Sequence, residues 1–360
     1  MKDSQEALKA QFSEFFDIHL SRLKCLSALV LSLIQVRTVN LSELSLSLNG
    51  SVSASTNYKR LQRFFRLFVF PFDSLSKLIW SLFDEGEIPV LSLDRTNWKF
   101  GRANINILML SICYQGIGIP LMWTVLEDKR GNSSVKERIV LMERFLKLFK
   151  PAYVVRLVAD REFIGTEWLD WLDSNHIHYI IRIRKNQFVE SEGTKRKQAW
   201  QLFNSDQVKL LRKPRTLDGI NVYLGGKKLP DGDYLILISN LPLKKGFYYY
   251  ARRWEIETLF GALKTRGFRF ETTHMSITDR IDKLTAVLAL ALAWAVKVGV
   301  FKTNNGKSIP IKKHRRRARS IFRIGLDEIR ARLLNFNDLD DLIKLLSCTE
   351  IRITFLFIHW

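Results

Sequence analysis

Between Met1 and about residue 85 the apolar positions recur at helical spacing in several short blocks, with little that alternates as a strand would. The Asn49-Gly50 turn and the serine-rich SVSAS break these blocks, and TNYKRLQRFFRLF follows. There Lys59, Arg63 and Arg66 fall on one helical face, while Leu61, Phe64, Phe65 and Phe68 form an apolar one. Such a helix fits a DNA-binding role, and it fits equally a packing helix with a solvated basic face.

From Ile88 the period shortens. IPVLSLD, NINILMLSICY and GIPLMWTVLE predict three consecutive strands joined by turns, as in a meander. Ser134 and Glu137 form a capping box that opens the helix VKERIVLMERFLKLF. A strand (YVVRLVAD), a helix (EFIGTEWLDWLDSN) and another strand (HIHYIIRIR) follow. Residues 186 to about 245 are polar and rich in Lys, Gly and Asp, end in the strand-like DYLILISN, and interrupt the alternation as an insertion. Next come a helix containing YYYARRWEIETLFGALKTRGFRFE (248 to 271), an apolar helix over 284 to 301, and the basic run KKHRRRAR. No internal repeat is present. The expected organisation is a helical region (1–85), an α/β domain (86–275) and a helical, basic C-terminal region (276–360).

Charge narrows the partners. Lys and Arg number 57 against 36 Asp and Glu, a formal net charge of +21. An excess of this size attracts a polyanion, which makes nucleic acid or an anionic membrane surface the leading partners. The run from Leu284 to Phe301 is marginal in length for a membrane span and carries Lys297, so it predicts a buried helix. The acidic, helix-forming N-terminus lacks the pattern of a secretory signal. Cys25, Cys113 and Cys348 are odd in number and far apart, which suits buried thiols in a reducing cytoplasm.

The candidate chemistry lies in residues 248 to 271. At about 100° per residue, Tyr250, Arg253, Glu257 and Lys264 share an arc of about 60° on a continuous helix. A carboxylate flanked by two cations and a phenol suits a phosphodiester, the acid binding a metal and the others holding phosphate oxygens. Intrahelical pairing of Arg253 with Glu257 would need only the same ordinary spacing. Two further acids, Asp94 after VLSL and Asp160 after VVRLVA, stand at strand ends. If those strands are neighbours and the Glu257 helix crosses them, three hard oxygen ligands converge, a set suited to Mg²⁺ or Mn²⁺. Two such ions can activate an attacking oxygen and stabilise the leaving one.

These residues carry a resemblance. The sequence resembles the insertion-sequence transposases with a DDE triad and a ribonuclease H-like core, in particular the group with a Tyr-x2-Arg-x3-Glu-x6-Lys signature, the fourth insertion-sequence family. Tyr250, Arg253, Glu257 and Lys264 have every spacer of that signature, and LDRTNWKFG around Asp94 and ADREFIG around Asp160 look like its other two acidic motifs. The resemblance implies a ribonuclease H-like mixed sheet flanked by helices, with a β-rich insertion before the glutamate helix. It implies a cut-and-paste transposase in which Asp94, Asp160 and Glu257 ligate two Mg²⁺. Water would nick each transposon end, and the freed 3'-hydroxyl would attack the opposite strand to give a hairpin, and later the target DNA. Tyr250, Arg253 and Lys264 would hold terminal phosphates. The implied partners are double-stranded DNA, as inverted-repeat ends and target, and a second subunit on the DNA, in the cytoplasm.

Trp200 lies in the insertion, where family members carry a tryptophan that stacks on an extruded base; KRKQAWQLF equally suits a packing segment. Arg315, Arg316 and Arg317 centre the C-terminal basic run, a pattern suited to sequence-independent phosphate contact. NNGKS imitates the end of a phosphate-binding loop but lacks its first glycine, where Phe301 stands. Glu162 competes with Asp160 as a ligand, and His176 and His178 read as structural. Two other functions fit the same charge: a non-catalytic DNA-binding protein derived from a transposase, and a general nuclease sharing the core.

Overall fold

A computed structural model describes residues 2–334 except 49, 85, 87, 127–130, 150–154, 191–195, 306–308, 312 and 314–316. Five helices come first: α1 (Lys2–Phe15), α2 (Leu20–Val36), α3 (Leu41–Ser47), α4 (Ala54–Leu67) and α5 (Phe72–Phe83). The break before α4 ends where the Ser53 hydroxyl accepts the Thr56 amide, a serine N-cap. On α4 Leu61, Phe64 and Phe65 are buried, and Lys59, Arg63 and Arg66 are exposed on the other face.

Three antiparallel strands follow, β1 (Val90–Phe100), β2 (Ala103–Tyr114) and β3 (Ile117–Leu126). Then come α6 (Val135–Phe149), β4 (Arg156–Ala159), α7 (Thr166–Ser174) and β5 (His178–Ile183), with β4 and β5 parallel to β1. The capping box at α6 forms in both directions, Ser134 amide to Glu137 carboxylate and Glu137 amide to Ser134 hydroxyl.

The polar stretch contains β6 (Phe188–Val189), β7 (Lys197–Gln198), β8 (Lys209–Leu210), β9 (Arg215–Leu217), β10 (Ile220–Lys228) and β11 (Tyr234–Ser239). Most of it does not stand apart. β11 pairs antiparallel with β5 and β10 with β11, so the sheet runs β3-β2-β1-β4-β5-β11-β10-β8. The result is one mixed α/β sheet, extended by strands that local pattern alone assigns to an insertion.

The helix predicted over 248 to 271 is broken. α8 (Gly246–Ala251) ends at Arg252, α9 (Trp254–Gly261) restarts after Arg253, and one π-helical turn (Ala262–Arg266) follows. The break serves tertiary contacts: Arg252 caps the Cys113 carbonyl and pairs with Glu255, while the Cys113 thiol donates to the Arg252 carbonyl. The C-terminal part adds α10 (Thr278–Asn304) and α11 (Ile321–Leu334). α10 is long and apolar enough to cross a membrane, but 83% of its apolar window is buried in the fold, where it packs on α2, α11 and β3. A side chain at Gly325 would collide with the Ala295 carbonyl, so the glycine lets α11 approach α10 backbone to backbone. The described cysteines, Cys25 and Cys113, are free and buried.

Candidate active site

Strand period decides which face carries the acids. Side chains two apart share a face, so Asp94 lies with Ser92 and Val90, and Asp160 lies with Val158. Val90 and Val158 pack with Tyr250 of α8, so both aspartates belong to the sheet face covered by α8 and α9. β1 and β4 pair in parallel up to Leu93 opposite Ala159, and the next residue on each strand is the aspartate. Asp160 therefore ends β4. Asp94 does not end β1, which continues to Phe100 paired with β2 alone, so it stands where the neighbouring strand peels away. The two aspartates share a local geometry: each carboxylate Oδ1 accepts the following arginine amide at 2.8 Å.

Glu257 sits on α9, which packs across β3 and β1. Gly118 of β3 makes that crossing possible, since a Cβ there would stand 3.2 Å from the Glu255 carbonyl oxygen and 3.2 Å from Ile256 Cα. Arg253, at the break between α8 and α9, is 5% exposed and lies between the acids. Its guanidinium is 2.8 Å from Glu257 Oε1 and 3.6 Å from Asp94 Oδ2. Burial works against its charge, but Tyr250, Glu257 and Asp160 outweigh burial and hold its pKa above the ordinary value. Burial lifts the Asp94 carboxyl to about 6, Glu162 and Asp160 push the same way, and Arg253 opposes them. Tyr250 is buried and raised to about 12, chiefly by burial, with Asp160 adding to the effect. Asp94, Asp160 and Glu257 thus converge electrostatically on one guanidinium.

Lys264, in the π-helical turn, donates to the Asn97 carbonyl at 2.9 Å, pairs with Glu271 at 2.8 Å and lies over the Trp98 ring. All four signature residues therefore meet at one side of the sheet despite the broken helix, each engaged with the protein itself.

Sequence reasoning missed the support behind the aspartates. Arg95 grips both oxygens of Glu162, at 2.8 and 3.0 Å, and reaches Asn106, the Gly131 carbonyl and Asn132. Glu162 is thereby held in an ion pair with Arg95. Buried Arg138 of α6 donates to the Glu162 and Ser133 carbonyls and lies over the Phe163 ring. Only the residue after each aspartate hinted at this network, through the repeated Asp-Arg pair.

The remaining sequence candidates are dispersed. Lys59, Arg63 and Arg66 lie on α4, outside the sheet. Trp200, in a 3-10 turn (Ala199–Leu202), is half-buried, donates its indole N–H to Gln198 and stands 6.2 Å from the Tyr234 ring. Arg317 is described and exposed; Arg315 and Arg316 lie outside the described residues, as does Cys348. His178 is held against the Ser239 hydroxyl, and burial depresses its pKa to about 4.

Among the described residues no group of three or more His, Cys, Asp or Glu side chains is gathered as a metal cluster. The acids nevertheless suit a hard cation: they are all-oxygen donors, and Asp94, raised chiefly by burial and further by Glu162 and Asp160, is a carboxyl whose ionised form a nearby cation would favour. Arg253 supplies that charge here.

The family model described as the transposase DDE domain matches residues 85–294. Among solved structures, one similar chain comes from a cryo-EM structure of a piggyBac transposase synaptic complex with hairpin DNA, at 12% identity and a TM-score of 0.48, covering 96% of this chain and 82% of that one. No curated protein matches. With well over half of its length matched, from just before β1 into α10, the chain belongs to the family of transposases with a DDE domain.

Proposed function

We propose that this chain is an insertion-sequence transposase of the Tyr-Arg-Glu-Lys signature group, moving its element by cutting it out of double-stranded DNA and joining it to a target. The observation that carries the reading is the parallel pairing of Leu93 with Ala159, which delivers Asp94 and Asp160 side by side beneath the helix that bears Glu257. A strand order of three antiparallel strands followed by two parallel ones supports a ribonuclease H-like core.

In this reading Asp94, Asp160 and Glu257 would hold two Mg²⁺, with Mn²⁺ able to substitute. When bound, such ions lower the pKa of an attacking water or 3'-hydroxyl and offset charge on the leaving oxygen. The protein's part is to hold the acids and the DNA in register. Arg95 and Glu162 fix the two strand ends relative to each other. Arg253 and Lys264, now bound to Glu257, Asp94 and Glu271, offer cations to the phosphates flanking the cut, with Tyr250 beside them. Ends bearing terminal inverted repeats, hairpin formation and a dimer on the DNA complete the proposal.

The test is incubation of the purified protein with Mg²⁺ and a DNA fragment carrying its own gene and flanks, beside the Glu257→Gln variant. Discrete breaks at a pair of inverted repeats, with hairpin ends and none from the variant, are expected. Binding without breaks from either protein would move the reading to a non-catalytic DNA-binding protein, and scattered breaks would move it to a general nuclease.

A further inference from the structure

A cavity of about 960 Å³ opens beside α9, where Thr258, the neighbour of Glu257, lines it. Its arginines come from three distant parts of the chain: Arg37 after α2, Arg266 of the π-helical turn, Arg317 and Arg319 before α11, and Arg323 within α11. No aspartate or glutamate is among its lining residues. Such a volume is at the upper end of the range for sites that hold a whole ligand.

Two of the arginines are held by the fold, Arg37 by backbone carbonyls and Arg323 by Asp327. Arg37 takes a left-handed backbone conformation (φ 59°), which aims its side chain at the Arg266 carbonyl, 2.8 Å away. Among the described residues neither Arg37, Arg266, Arg317 nor Arg319 has an acidic partner; Arg323 alone is paired, with Asp327. Burial lowers the pKa of Arg37, the nearby cations Arg323 and Arg330 lower it further, and Asp327 opposes them. Five arginines share this cavity while Asp327 stands beside Arg323 and Arg37, which leaves an excess of positive charge that an anion can answer.

The position on α9 gives the cavity a purpose. Thr258 of α9 and Ala262 and Thr265 of the π-helical turn form one wall of the cavity, and Glu257 and Lys264 are the neighbours in sequence of Thr258 and Thr265.

We propose that this cleft grips the sugar-phosphate backbone of one DNA strand, outside the phosphodiester being cut and without reading its bases. The identity of the polyanion rests on the transposase reading; the cleft itself rests on the arginines. Phosphate contacts made by arginine release counterions, so each steepens the salt dependence of binding by about 0.9.

The experiment measures binding of a duplex of arbitrary sequence across a salt series, for the wild-type chain, an Arg317→Ala/Arg319→Ala variant and an Arg317→Lys/Arg319→Lys variant. Both arginines are exposed, so melting temperatures should agree. The alanine variant should lose about 2 from the slope of log K against log salt and bind roughly fiftyfold more weakly near 0.1 M salt, by the same amount on unrelated sequences. The lysine variant should keep the slope. An unchanged slope and affinity in the alanine variant would overturn the proposal, as would a loss confined to one DNA sequence. Loss of slope in the variant, with no cleavage of any DNA by the wild type, would leave the cleft standing and sink the transposase reading.

Discussion

Arg253 and Arg319 carry the same guanidinium into opposite surroundings. The first is buried among Asp94, Glu257 and Tyr250, with its charge answered inside the protein. The second is exposed in a cleft shared with four other arginines and lined by no acid. In the first region the fold has assembled opposite charges at fixed distances, which is what chemistry on a phosphodiester needs. In the second it has assembled like charges, which is what a grip on a polyanion needs. Removing a charge should therefore disturb the two regions in different ways.

The largest effect on stability is expected at Arg95, whose bidentate pair with Glu162 is mostly buried. Arg95→Ala leaves that carboxylate unpaired and should cost about 3 kcal/mol or more in a denaturant titration. A loss under about 1 kcal/mol would mean that the network does not hold the strand ends.

Asp94 should show the reverse sign. Its folded pKa of about 6 lies above the ordinary 3.8, so the folded protein keeps a proton that the unfolded chain releases. Its contribution is full below about pH 4 and is lost as pH rises to about 6, by up to about 3 kcal/mol. Asp282, also raised to about 6 by burial, titrates in the same window, so the comparison must be with Asp94→Asn. Without divalent metal, that variant should gain on the wild type between pH 4 and 6 and hold the gain above. An equal pH profile in both proteins would remove Asp94 from the buried cluster.

Gly118→Ala tests the backbone crossing, since the new methyl meets the Ser111 hydroxyl and α9 itself. It should cost about 1–3 kcal/mol in thermal unfolding and lower cleavage more than DNA binding. Least affected should be Arg63→Ala/Arg66→Ala on α4, within about 0.5 kcal/mol of wild type because both side chains are exposed. A larger loss would give that basic face a packing role.

Much of this contrast was legible before any fold. The runs VLSLD and VVRLVAD were enough to bring Asp94 and Asp160 forward, although β1 runs on past Asp94 to Phe100, and fixed spacing was enough to group Tyr250, Arg253, Glu257 and Lys264. Helical periodicity misled in one respect: it ran a single helix through Arg252, where capping of the Cys113 carbonyl breaks it. That cause is tertiary, from a strand more than a hundred residues away, and no local pattern carries it. The same holds for β11, whose run YLILIS was readable as a strand but whose pairing with β5 was not. Arg95 with Glu162, and Arg37 with Arg266, are likewise partners made by the fold, and their spacing in sequence says nothing of them.

The most direct test of the central claim, that the carboxylates gathered under α9 perform DNA cleavage, is the Asp160→Asn variant on DNA bearing the element's ends with Mg²⁺, with binding and cleavage measured on the same sample. Substitution of the half-buried carboxylate that follows β4 by an amide of the same shape should leave the fold and the affinity for DNA intact, and cleavage should fall by a factor of roughly a thousand or more. Cleavage retained at the wild-type rate would contradict the assignment of the site.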